Sequence, residues 1–133
     1  MLTIEIFENS EEYIFNVSVE KLQNIIDPFI SSPWGDGRIK KQNVENDIKN
    51  NNLESNYFNN ENYYPEWHTR RIAYLVVNLD KTPITILINK NNFDDYDVDG
   101  YHRLAAAIYR GDKNINVYTN VNRKLFNKWL NNY

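Results

Sequence analysis

Cysteine is absent from the 133-residue chain. That omission removes disulfides, thiolate metal sites and any thiol nucleophile, so chemistry must come from His, Arg, Asp, Glu, Tyr or the backbone. Long apolar runs are missing too. No stretch approaches the ~18 residues that span a bilayer, and the opening MLTIEIFENS has neither a basic region nor a cleavable apolar segment. These absences predict a soluble, unexported, cytoplasmic protein with no membrane partner. Glycine and proline are scarce, four of each, and neither an internal repeat nor a Gly/Ser-rich or Pro-rich linker divides the chain. The expectation is one domain over residues 1–133 with one core, since a chain of this size buries roughly two-thirds of its unfolded surface.

What is present is unevenly placed. The net charge is −3. Residues 99–133, however, carry Arg103, Arg110, Lys113, Arg123, Lys124 and Lys128 against only Asp99 and Asp112, so the acidity lies in the first 98 residues. A locally basic C-terminal third suits an anionic ligand better than it suits wrapping DNA, and the overall acidity makes DNA the weakest partner. Asparagine is concentrated in NVENDIKNNNLESNYFNNEN, Asn43 to Asn62, which reads as a surface loop in a chain from an AT-rich genome, and not as a prion-like tract, because apolar residues recur inside it. In NLESNYFNNENYYPEW the tyrosines and tryptophan offer large contact area at low entropic cost. That stretch, with Tyr57, Tyr63 and Tyr64, is the candidate surface for a protein partner.

Apolar periodicity places the elements. LTIEIF and YIFNVSV alternate apolar and polar residues as strands do. Ser18 is placed to cap a short helix with Val19, Leu22, Ile25 and Ile26 on one face, and Pro28 ends it. FISSPWGDGRIKK reads as a loop leading into a helix over residues 40–50, with Trp34 and Arg38 as loop residues of the kind that sit over ligands. PEWHTRRIAYLVVN opens with Pro65 at a first-turn position and puts His68, Ile72, Leu75 and Val76 on one helical face. His68, Arg70 and Arg71 form a basic cluster there. They read either as an anion contact, or as a core-edge histidine beside two arginines on a solvated face. ITILI suits a strand buried on both faces, YDVD a shorter strand, and HRLAAAIYR a helix closed by Gly111. NINVYTN is strand-like, and NRKLFNKWLNN turns Leu125, Phe126, Trp129 and Leu130 inward as a terminal helix. The pattern predicts a mixed class, α/β or α+β, with a small sheet.

DDYDVDGYHRLAAAIYRG, Asp94 to Gly111, carries the chemistry. Acids at Asp95, Asp97 and Asp99 followed by Gly100 have the spacing of a calcium loop, but the twelfth position, which needs glutamate, is Ala106, and the upstream neighbour is strand-like. A phosphate site accounts for the stretch better. If Asp99 caps the helix, the amides near Gly100, Tyr101 and His102 are first-turn donors at the positive end of a helix dipole. Arg103 adds a two-pronged contact, and His102 a donor or a proton carrier near neutral pH. The same residues also fit an ordinary Asp-Gly turn with a structural histidine and a paired arginine, and spacing alone does not separate the two.

DGYHRLAAAIYRGD resembles the DG-x-HR-x-x-A-A motif of the ParB/sulfiredoxin-like fold, and PITILI, Pro83 to Ile88, is similar to the strand placed shortly before that motif. The resemblance covers residues 65–120 well and NVSVEKL and DPFISSPW more loosely. It implies a small α+β fold binding nucleotide phosphates, ATP or CTP with Mg²⁺. It implies that Asp99, Gly100, Tyr101, His102 and Arg103 contact the nucleotide, with His102 and Arg103 as catalytic groups. Asp97 and Asp99 would hold the metal. Tyr101 stands where sulfiredoxins have their catalytic cysteine, so sulfinic acid reduction is excluded, and with about a dozen residues after the last strand, plasmid partitioning in the form usual for ParB partition proteins is not expected. The activity implied is NTP hydrolysis or phosphoryl transfer to a small acceptor, with Asp36, Glu66 and Asp95 as candidate bases. The alternative is a non-catalytic interaction module, such as an accessory or inhibitory protein of a phage, plasmid or other mobile element.

Overall fold

Alternation of apolar and polar residues builds the sheet. In the computed structural model, which describes residues 13–35, 38–56 and 65–132, YIFNVS forms β1 (Tyr13–Ser18) with Phe15 and Val17 buried and Ile14 and Asn16 exposed. β2 (Ile84–Asn89), β3 (Asn92–Asp99) and β4 (Asn114–Thr119) complete it. The strand order is β1-β4-β2-β3. β4 runs antiparallel to β1 and parallel to β2, and β3 runs antiparallel to β2. The result is a four-stranded mixed sheet accompanied by helices, an α+β fold. The strand expected in LTIEIF lies outside the described residues, as do Asp36, Tyr57, Tyr63 and Tyr64. No described helix is long and apolar enough to cross a membrane.

The helices begin and end where local chemistry dictates. α1 (Val19–Ile25) is capped by Ser18, whose Oγ accepts from the Lys21 amide at 3.2 Å. The loop expected after it instead opens with a one-turn helix, α2 (Pro28–Ser31). Asp27 caps α2 by accepting from the Phe29 amide at 2.9 Å. Pro28 therefore both stops one helix and starts the next, because its missing N–H costs nothing at a first-turn position. α3 (Lys41–Lys49), α4 (Pro65–Val77), α5 (Tyr101–Arg110) and α6 (Arg123–Leu130) follow.

The chain gathers into two compact units. The first contains the sheet with α1 and α6. Ile84, Ile86 and Ile88 on one face of β2 are fully buried beside Val117 of β4. That face is covered by α6, with Phe126 5.7 Å from Phe15 and Trp129 5.4 Å from Tyr96, ring to ring. The other face is only half-buried at Thr85, Leu87 and Asn89, so β2 is not buried on both faces as its composition suggests. The register explains this: Thr85 lies beside Tyr118 and Asp99, and Leu87 beside Asp97. β3 is also longer than YDVD. Its polar start is held by pairing with β2, and Trp129 Nε1 donates to the Phe93 carbonyl at 3.3 Å. Beyond the last β2–β4 pair, the buried Asn120 side chain takes the place of a strand. It accepts from the Ile88 amide at 2.8 Å and donates to the Ile88 carbonyl at 3.0 Å.

The second unit comprises Ile26–Asp80 and Tyr101–Asp112. α5 packs on α4, and Leu104 and Ala105–Ala107 on the one helix and Ile72, Ala73 and Leu75 on the other are buried. Three consecutive alanines keep α5 thin on every side that meets a neighbour. The C-terminus of α5 is closed by Gly111 at φ 75°, with the Gly111 amide bonded to the Ile108 carbonyl and the Asp112 amide to Ala107, a Schellman pair. Arg110 then ties the two helices together. Its Nη1 donates to the Leu75 carbonyl at 2.7 Å, while the rest of the guanidinium grips Asp112 at 2.7 Å.

Candidate functional site

The start of α5 is set by its neighbours in sequence. β3 ends at Asp99, the helix begins at Tyr101, and Gly100 between them has φ 114°. Gly100, not Asp99, thus occupies the position immediately before the helix, in a backbone conformation that L side chains rarely adopt. Asp99 is the exposed last residue of the strand. The amides of Tyr101 to Arg103 open a ten-residue helix, at the end where helix geometry supplies no acceptor from within the helix itself.

His102 does not stand alone. Its Nε2 lies 2.8 Å from Nδ1 of His68 on α4. The two ring planes are within 15° of each other and their centroids are 5.1 Å apart, the arrangement of two imidazoles side by side in one plane and joined nitrogen to nitrogen. Trp34 lies over both rings, 5.2 Å from His68 and 4.8 Å from His102 and close to parallel with each. Trp67 meets both edge-on at 83°, and Tyr101 presents its ring at 78° to Trp34. The loop residue Trp34 therefore sits against the motif.

The pair is held from outside as well. Trp67 Nε1 donates to Glu54 Oε1 at 2.9 Å. Arg71 Nη1 donates to the Glu54 and Ser55 carbonyls at 3.2 and 2.9 Å, and the Glu54 amide donates to the Arg70 carbonyl. Arg71 is buried, at 7 % exposure, which corrects the expectation of a solvated face. Two backbone carbonyls beside α4 give its guanidinium partners that water would otherwise supply. Arg70 is exposed. With Glu66, Asn43, Asn46 and Asp47 it lines a cleft of about 240 Å³, in which burial raises the Asp47 carboxyl and Arg70 partly offsets the rise.

Burial and cationic neighbours decide the protonation of the pair. The His102 pKa is pushed down to about 3, first by burial and then by His68, Arg71 and Arg103. Burial also lowers that of His68. Both rings are neutral at pH 7, so His102 is not the proton carrier that its type suggests. It is a neutral hydrogen-bonding group beside a cation.

The remaining expected site residues lie in the sheet unit. Asp97 and Asp99 alternate onto one face of β3 opposite Leu87 and Thr85, and Asp95 accepts from Asn89 Nδ2 at 3.1 Å. No group of three or more His, Asp or Glu side chains able to hold a metal occurs among the described residues. Mg²⁺ is ordinarily held by one or two carboxylates plus phosphate oxygens and water, which two aspartates can satisfy. Reading the sequence did not bring Trp67 into the site. His68 and Trp34 were each singled out, but not as neighbours of His102, because 34 residues of sequence separate the two halves of the imidazole hydrogen bond. No family model, no curated protein and no solved structure matches the chain.

Proposed function

We propose that the chain binds a nucleoside phosphate at the start of α5, with the first-turn amides and Arg103 holding phosphate oxygens and His102 donating one further hydrogen bond. The observation that carries this reading is the local geometry of DGYHR. A glycine at φ 114° directly precedes a ten-residue helix whose first turn carries both a neutral histidine and an arginine. A glycine there keeps side-chain atoms off the backbone where an anion approaches. Neutrality of His102 suits the role, because a neutral N–H donor survives across the physiological pH range. The resemblance to ParB/sulfiredoxin-like domains points the same way.

The chemistry that follows from such binding is NTP hydrolysis or phosphoryl transfer to a small acceptor. In either case the protein contributes position and electrostatic stabilisation more than covalent chemistry. Arg103 would balance charge on the transferring group, and His102 would orient it. Mg²⁺ bound with the nucleotide would neutralise phosphate charge, with Asp97 and Asp99 as the carboxylates proposed to hold it. A nucleotide ligand fits the expectation of a cytoplasmic protein. The test is calorimetric titration with ATP, CTP, GTP and ADP, with and without Mg²⁺. Micromolar binding by at least one nucleoside triphosphate is expected, and absence of binding by all of them in a folded protein refutes the proposal.

A further inference from the structure

We infer that His68 is a positioning residue for His102: it donates from Nδ1 to His102 Nε2, leaving His102 to present its other nitrogen, Nδ1, as an N–H donor to a phosphate oxygen. The inference deepens the nucleotide reading and rests on it. A neutral imidazole carries one N–H and one lone pair. At 2.8 Å one of the facing nitrogens carries hydrogen and the other does not, since two lone pairs or two N–H groups would repel. Two arrangements satisfy this. If His102 donates, its Nδ1 is bare and turns a lone pair toward an incoming anion. If His68 donates, His102 must carry its hydrogen on Nδ1. Only the second arrangement accepts a phosphate.

The placement of the atoms supports the assignment. Nδ1 is the ring nitrogen nearer its own main chain, so on the second residue of α5 it is the one on the side of the first-turn backbone, while Nε2 reaches to His68 on α4. His102 Nδ1 makes no hydrogen bond to a described residue and is not among the buried atoms lacking one. His68 is itself fixed, 3 % exposed on α4, and the Trp34 roof with Trp67 at the edge restrains rotation of either ring. The charged groups facing the pair are Arg71 from α4 and Arg103 from α5. Glu54 is engaged by Trp67, and α2, which also packs on α5, carries no titratable side chain. Two flanking cations disfavour a protonated pair, so the donor offered to phosphate is a neutral N–H of fixed direction.

Nitrogen-15 imidazole NMR on the full chain, with and without ATP, tests this in the wild type, His68→Leu and His68→Asn. In ATP-bound wild type, hydrogen is expected on His102 Nδ1, with a coupling across the bond from His68 Nδ1 to a bare Nε2. Leucine removes the donor, so the His102 tautomers should mix and ATP affinity fall about tenfold. Asparagine, whose side-chain nitrogen takes the place of Nδ1, should restore affinity to within about threefold. Should His68→Leu fail to fold, the wild-type tautomer and the asparagine variant still decide. Hydrogen on Nε2 in the bound state, or an unchanged tautomer and affinity in folded His68→Leu, overturns the positioning role and leaves nucleotide binding standing. Absence of binding of ATP, CTP, GTP and ADP alike by folded wild type overturns both, and where another of them binds in place of ATP the same spectra are recorded with that nucleotide.

Discussion

Arg103 and His102 are adjacent in the first turn of α5 but owe their properties to different surroundings. Arg103 is half-buried in the first turn of the helix, and a charge-assisted contact from it to phosphate is worth roughly 1.5–3 kcal/mol. Arg103→Ala is therefore expected to weaken nucleotide binding by roughly 10- to 100-fold by calorimetry, with the circular dichroism spectrum unchanged. Loss of folding together with binding would mark Arg103 as structural. His102 makes a separate prediction about stability. Its pKa is about 3 in the folded chain and returns to its ordinary 6.5 on unfolding. Between those values the unfolded chain binds a proton that the folded chain does not, so acidification favours unfolding, by up to about 1.4 kcal/mol per pH unit. Above 6.5 the group has no effect. Urea unfolding should show stability falling from about pH 6.5 downward, and His102→Asn should flatten that slope. An identical slope in the variant would place the titration elsewhere.

At the scale of elements, the ends of the helices and the edge of a strand carry the testable energetics. Gly111 has φ 75° with nothing within 4 Å of a Cβ added there. Gly111→Ala therefore meets conformational strain alone and should cost about 1–2 kcal/mol in denaturant unfolding. A larger loss would mean that the cap supports more than α5. Asn120→Ala leaves the buried Ile88 amide and carbonyl without the partners that extend β2, and is expected to cost roughly 2–6 kcal/mol, the sum of two penalties for unsatisfied buried polar groups. These features also show what the sequence could reveal. Gly111 was legible because its role is local: a strong helix former runs into a glycine. The Ser18 cap and Pro65 start were legible for the same reason. Asn120 was not, since its function depends on the register of β2 against β4, set by residues 32 positions away. α2 was missed because Pro28 was read only as a stop. β3 was read short because NFDD lacks β-branched residues and is held by its partner strand, a tertiary preference that overrides composition.

Across the whole molecule, the acidic strand end and the cationic helix start are consecutive in sequence and fall into different compact units, the boundary lying between Gly100 and Tyr101. If Asp97 and Asp99 hold Mg²⁺ with the nucleotide, Asp97→Asn combined with Asp99→Asn should remove the magnesium-dependent part of ATP affinity and leave magnesium-free binding unchanged in calorimetry. Equal loss under both conditions would contradict a metal role for the aspartates. The halves of the site differ in how far sequence exposed them. DGYHR was readable as one contiguous string, whereas the imidazole pair and its tryptophan cover join residues 34, 67, 68 and 102, brought together by packing. The most direct test of the central claim is backbone amide NMR of the wild-type protein titrated with ATP. Saturable shifts concentrated on Gly100 to Leu104 and on the Trp34 indole are expected. Shifts confined to other parts of the chain, or none at millimolar ATP and none with CTP or GTP in its place, would contradict nucleotide binding at this site.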